Sequence, residues 1–141
     1  MNPPKQALVF YVGESRSAMD ILHLKEVGRM PMVERTPNAP VGVLGVIRMH
    51  GKPVRVFDMA ALLRHQTDAE EPPPVSRPWV VVGHTSEGDA YWRVDTVEDI
   101  VDFDPDLVVP DGAGDAPALI DLEDGLTHLL TPEFLCSRQR N

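Results

Sequence analysis

Residues 37–58 read PNAPVGVLGVIRMHGKPVRVFD, two strand-like runs hinged on glycine. Residues 43–49 and 54–57 are rich in Val and Ile and are bounded by turn formers, which predicts a hairpin closed around Gly51. Gly42 and Gly45 stand just before and inside the first run, where a missing side chain marks a bulge, a bend or a close backbone approach. Such devices close small barrels. Pro53, inside the return run, removes a ladder donor and points to a sheet edge. An edge accepts a further strand, so strand addition or self-association is one expectation for this chain.

The remaining sequence uses the same vocabulary. Period-two alternation and β-branched residues dominate, no segment carries a long helical pattern, and turn formers recur about every ten residues, as in a barrel or sandwich. A short helix is predicted over residues 58–64, with Asp58 as N-cap and Leu62 and Leu63 available to the core. A second is predicted over residues 132–136, opened by Thr131, with Pro132 at the first helical position and Glu133 at the positive end. Residues 65–78 are polar and hold three consecutive prolines, Pro72 to Pro74, which predicts an extended spacer. Residues 104–117, acidic and interrupted by proline and glycine, predict a loop whose spacing matches no calcium-binding loop.

Composition narrows the function classes. A chain of 141 residues fits one domain, and its net charge of −9, from 22 acidic against 13 basic residues, opposes nucleic-acid binding. The lone Cys136 forms no internal disulfide and reads as a small apolar residue of a terminal helix. No apolar run reaches the roughly 18 residues a membrane helix needs, and the N-terminal residues lack a signal-peptide pattern. The expectation is a cytoplasmic protein with no direct membrane insertion.

No catalytic constellation is visible. His23, His50, His65, His84 and His128 are scattered without metal-ligand spacing, the serines lack a nucleophile elbow, and Gly42-Val43-Leu44-Gly45 opens a strand instead of a phosphate-binding helix. We therefore expect no enzyme activity, no metal and no cofactor.

Two prolines three residues apart, Pro37 and Pro40, then Gly42-Val43-Leu44-Gly45-Val46, a glycine turn and a strand ending in Asp58 resemble the CheW-like domain family. That family continues with a short helix and a V-D-x-V strand; here residues 59–63 read MAALL and residues 94–97 read VDTV. Residues 7–12 resemble the family's first strand, residues 19–27 a strand pair with a Glu at the position of Glu26, and residues 79–82, 90–103, 118–122 and 126–135 its later segments. The likeness covers nearly the whole chain. It implies a mainly β fold of two intertwined five-stranded SH3-like barrels with short helices, in one domain over residues 1–141 with residues 65–78 at the junction of the barrel halves. It also implies a non-catalytic adaptor, recruited to membrane-associated receptor arrays, that binds the regulatory domain of a CheA-type histidine kinase and the helical cytoplasmic tip of chemoreceptors.

Carried over by resemblance, Ile21, Leu24 and Glu26 match strand positions where the family engages partners. Gly45 matches a glycine of the inter-barrel groove that receives the receptor helix. Val94, Asp95 and Val97 align with the V-D-x-V element, where a contact role competes with barrel core plus a turn-fixing carboxylate. Surface and core both stay open for Ile21 and Leu24, since Ile21 shares no face with both Leu22 and Leu24 in a regular strand.

Departures from the pattern bear on partner choice. The family's usual N-L-R-G is Arg48-Met49-His50-Gly51 here, so His50 replaces an arginine associated with receptor and array function. Arginine is a permanent planar donor fork, whereas imidazole near pH 7 is mostly neutral with one donor. Arg48, two residues earlier, points the same way as position 50 along a strand and is expected to substitute in part. Arg55 replaces a usual Pro, and Tyr91 and Trp92 replace a Gly and an aliphatic. One of these two aromatics faces inward by alternation; an exposed one would anchor a partner. The alternative function is a specialised member that binds a single array partner, or self-assembles, through a patch altered at residues 48–50.

Overall fold

Strands β1 (Lys5–Val12) and β2 (Ser15–Asp20) form an antiparallel hairpin, and β3 (Leu24–Arg29) leaves it for a second sheet. There β4 (Val43–Met49), β5 (Lys52–Asp58), helix α1 (Met59–Leu63), β6 (Trp79–Thr85) and β7 (Gly88–Val94) follow. The chain then returns to the first sheet through β8 (Thr96–Phe103), β9 (Ala118–Leu122), β10 (Gly125–Leu129) and helix α2 (Pro132–Gln139). The computed structural model describes residues 4–35, 37, 42–63, 78–110, 118–122 and 125–139. The predicted spacer, apart from Pro78, and the loop over residues 111–117 lie outside the described residues.

Both sheets have five strands, in the orders β8-β1-β2-β10-β9 and β3-β6-β7-β5-β4. Read from β8 through β10 and on to β1 and β2, the first sheet has the neighbour order of the second, so the two are circular permutants. Each has one parallel contact, β2 with β10 and β5 with β7, and each bears a bulge on its first edge strand, at Leu8/Phe10 against β8 and at Leu24/Glu26. Each also curls until its edges meet. The segment after β3 bonds to β4 through Glu34 and Val46, with both N–H···O distances 2.8 Å, and the segment after β8 bonds to β9 through Val109 and Leu119 at 2.8 and 2.9 Å. We call the first sheet barrel 1 and the second barrel 2.

The buried runs in β1, β2 and β6 reflect strands covered on both sides. Along β1, Ala7 and Val9 face the interior of barrel 1 with Ala18, Phe103 and Ile120, while Leu8, Phe10 and Val12 face the other barrel. Barrel 2 is filled by Ile47, Val56, Val80 and Val82. The largest core lies between the barrels and joins Phe10, Met19, Val81, Trp92 and Val94 to Met59 and Leu62 of α1 and Leu135 of α2. Trp92 is its biggest side chain and is fully buried, a contribution of roughly 4–6 kcal/mol from area alone.

Local signals hold at the helix starts. Asp58 accepts the Ala60 N–H at 3.2 Å and Thr131 accepts the Phe134 N–H at 3.2 Å. Helix α2 runs on to Gln139, past the predicted end at residue 136. The expected strand pair over residues 19–27 is broken by a 3-10 turn at Ile21–His23, capped by Asp20 accepting the Leu22 N–H at 3.0 Å. The V-D-x-V element is likewise two pieces: Val94 ends β7 in barrel 2, Asp95 sits in a bend and Val97 lies in β8 of barrel 1.

Candidate partner-docking site

The β4–β5 hairpin pairs Met49 with Lys52 and turns through His50 and Gly51. Their φ angles of +52° and +80° are the two positive values of a type I′ turn, which favours Asn-Gly and tolerates histidine at some strain. His50 therefore leaves the strand, and the expectation that it points the same way as Arg48 is corrected: the turn redirects it. Its Nε2 lies 2.8 and 3.1 Å from the two carboxylate oxygens of Glu26 on β3. Because β3 and β4 are the two edges of barrel 2, this pair joins the hairpin tip to the far edge of the sheet. Farther along the same seam, Gly45 is buried at φ +156°, where a Cβ would come within 2.4 Å of the Glu34 carbonyl oxygen. Only glycine lets Glu34 lie on β4 there.

Two further features flank the seam. Lys25, at the bulge in β3, reaches across β6 to bond Asp89 on β7, and His84 Nδ1 lies 3.2 Å from the same carboxylate. The hydrogen bond to Asp89 and its charge hold the Lys25 ammonium above its ordinary range; the hydrogen bond from Lys25, outweighing partial desolvation, holds the Asp89 carboxyl below its own. On the other side, Pro31, Met32, Glu34, Val46, Arg48 and Pro53 line a shallow groove of about 220 Å³. Met32 in this groove is 89% exposed, and Leu22, on the capped 3-10 turn, is 74% exposed. Both are large apolar side chains presented to solvent.

Of the residues singled out from sequence, Glu26 and His50 are in direct contact, Arg48 is exposed on the same hairpin and Gly45 is buried beneath Glu34. Ile21 is half-buried in the 3-10 turn, and Leu24 packs on the inter-barrel core. Val94 is buried and Val97 half-buried in that core. Asp95 accepts the Gly13 N–H and fixes the crossover between barrels. Trp92 is corrected as a surface anchor, since it is wholly buried. Tyr91 is half-buried and packs toward the interior of barrel 2. Pro53 pairs with Arg48 at a position that does not bond to β4, and the β7 contact begins only at Val56, so the missing N–H costs nothing. Sequence reasoning missed Leu22, Met32, Lys25 and Arg93. The bulge that sets Lys25 and the turn that exposes Leu22 are tertiary features, whereas Arg93 inside an apolar run was a readable anomaly.

The permuted barrels, the split V-D-x-V crossover and the glycine-backed seam agree with a match of the CheW-like domain model to residues 6–138. The chain belongs to the CheW-like domain family. CheW-like domains are non-catalytic adaptors. A relative named "Probable chemotaxis protein CheW" from Rhizobium etli (strain CFN 42) is 23% identical over 106 residues, covering 75% of this chain. The aligned part spans 66% of that relative's own length. The crystal structure of the scaffolding protein TtCheW from Thermoanaerobacter tengcongensis superimposes with a TM-score of 0.77 at 19% identity, over 94% of this chain and 92% of that one. That likeness places the double-barrel CheW-like fold beyond its sequence distance.

Proposed function

We propose that this protein is a chemosensory coupling adaptor, binding the regulatory domain of a CheA-type histidine kinase and the helical cytoplasmic tip of a chemoreceptor. The carrying observation is the family match across residues 6–138 on a double barrel. The docking face supports it: the barrel 2 seam exposes Leu22 before β3 and Met32 after it, with the charged Lys25, Glu26, Arg48 and His50 along β3 and the β4–β5 hairpin. Exposed apolar side chains interspersed with charged ones suit a protein interface. No helix among the described residues is long and apolar enough to cross a membrane.

His50 favours a second reading, in which only one partner is bound. The usual arginine would leave donors for a partner after pairing with Glu26, whereas the imidazole nitrogen facing Glu26 is engaged. Separate titrations with the kinase regulatory domain and with a receptor-tip fragment decide between them. Saturable binding to both supports the coupler, kinase binding alone supports the specialised member, and binding to neither overturns both. His50→Arg is expected to strengthen receptor-tip binding and leave kinase binding unchanged. Strand addition at the β4 edge is hindered where Glu34 occupies it at Val46, and self-association by other surfaces is read from the size of the purified protein at several concentrations.

A further inference from the structure

Arg93 is a charged side chain set among Trp92, Val94 and the rest of a largely apolar strand, and only 10% of it is exposed. It meets two carboxylates. Its guanidinium donates to Asp58 Oδ1 at 3.5 Å and lies 3.6 Å from Asp95 Oδ1. Asp58 ends β5 and caps α1, and its own N–H is bonded to the Gly42 carbonyl at 2.8 Å, so this carboxylate belongs to the frame of barrel 2. Asp95 belongs to the crossover. Its N–H donates to the Tyr11 carbonyl at 3.0 Å and its carboxylate accepts the Gly13 N–H, both in the β1–β2 hairpin of barrel 1.

We propose that Arg93 is a tie that fixes the angle between the two barrels, linking the α1 start in barrel 2 to the β1–β2 hairpin of barrel 1 through Asp95. The core between the barrels is apolar and non-directional, so it favours contact without choosing one orientation. A buried cation set between two carboxylates, one on each side of the junction, supplies the choice. An adaptor that holds two partners, as proposed above, keeps their relative geometry only if that angle is held. Asp20, the carboxylate at the other crossover, caps the Leu22 N–H and lies 3.6 Å from Lys5, a side chain 47% exposed; among the described residues it meets no such buried cation. The two crossovers are thus unequally tied.

The test places nitroxide labels through Asp102→Cys on β8 and Arg55→Cys on β5, both exposed, in a Cys136→Ser background, and reads the inter-label distance distribution by pulsed electron paramagnetic resonance. The compared variant is Arg93→Met with Asp58→Asn, which keeps an N-cap on α1 and every Asp95 bond to barrel 1. Replacing a buried ion pair by groups of similar volume is close to neutral for stability, so the variant is expected to fold. Its distance distribution is expected to widen to about twice that of the parent, as a packed interface freed to shear does. An unchanged mean and width in the folded variant overturn the proposal. Amide exchange in Arg93→Lys, which keeps the charge but not the Nη1 position that meets both carboxylates, gives a second reading should the first variant not fold. Faster exchange of the Gly13 amide than in the parent supports the tie, and an unchanged rate overturns it.

Discussion

Barrel 2 is written in one continuous stretch, β3 to β7, whereas barrel 1 is assembled from the two ends of the described chain, β1 and β2 with β8 to β10. The neighbour order is the same in both. What differs is the seam. Barrel 1 closes through Val109 and Leu119, with Ala118 preceding the bonded residue; barrel 2 closes through Glu34 and Val46, with Gly45 preceding it, and adds the His50–Glu26 pair at the hairpin tip. One topology therefore yields a plain closure and a polar one. The polar closure gathers Lys25, Glu26, Arg48 and His50, the barrel 1 side exposes the apolar Ile100, Leu107, Val109 and Leu126 instead, and the shared core holds both barrels to one another.

That dependence on a shared core is tested most severely at Trp92. Trp92→Ala is expected to cost about 3–5 kcal/mol and to lower both barrels together, in one unfolding transition seen alike by far-ultraviolet circular dichroism and calorimetry. We propose on this ground that the described chain behaves as a single domain; two separated transitions would refute it. Gly83 sharpens the same experiment, because a Cβ there would lie 2.6 Å from the Trp92 ring. Gly83→Ala is expected to destabilise the parent by about 2 kcal/mol and to be nearly silent in Trp92→Leu, a coupling that a double-mutant cycle reads directly.

The seams break differently. Gly45→Ala combines a positive φ with a collision on backbone, and is expected to cost about 3 kcal/mol or more in urea unfolding. At the corresponding place in barrel 1, Ala118→Gly is expected to cost only about 0.5–1 kcal/mol, the usual penalty of glycine in a strand. Similar losses at the two sites would show that the difference between the closures is not energetic.

Much of this comparison is legible in the sequence. Gly45 inside a Val-rich run signals a close approach, Gly51 signals the turn, and Asp58 and Thr131 signal the helix starts, because each rests on chemistry local to a few residues. The docking face is less legible. Glu26 and His50 are 24 residues apart and meet only because the sheet curls until β3 and β4 adjoin. Ile21 looks like a strand residue until the chain must cross between barrels, which the 3-10 turn accomplishes. Tyr91 and Trp92 alternate as expected, yet both sides of β7 are interior, one facing barrel 2 and one the core between barrels. Alternation separates faces without saying whether either of them is wet.

The polar staple in the barrel 2 seam is expected to be weak as stability and informative as geometry. His50 and Glu26 are exposed enough that their coupling, measured by a cycle of His50→Asn and Glu26→Gln, should be about 0.2–1 kcal/mol. His50→Asn also relieves the positive φ at the turn, so the single variant is expected to be within about 0.5 kcal/mol of the parent. Additive effects of the two changes would mean that the hairpin tip is placed by the turn and the Glu34–Val46 bonds alone.

The smallest expected effect belongs to Lys25 and Asp89, which cross the outer face of barrel 2. Asp89 releases its proton more readily folded than unfolded, owing first to the Lys25 hydrogen bond. The contribution of Asp89 is therefore complete above the ordinary carboxylate value of 3.8 and is lost as pH falls through the lowered folded value. Lys25 mirrors it: a raised folded value makes its contribution complete below 10.5 and removes it as pH rises beyond. Asp89→Asn should thus be slightly less stable than the parent near neutrality, and the difference should vanish in strong acid, when the parent carboxylate is also protonated. Urea midpoints for the two proteins across the acid range test this, at low and high salt because the pair is exposed and screened. A difference that persists unchanged into strong acid would assign the effect of Asp89 to packing, and would leave the charged row across β3, β6 and β7 with no electrostatic part in holding barrel 2 apart from barrel 1 in character.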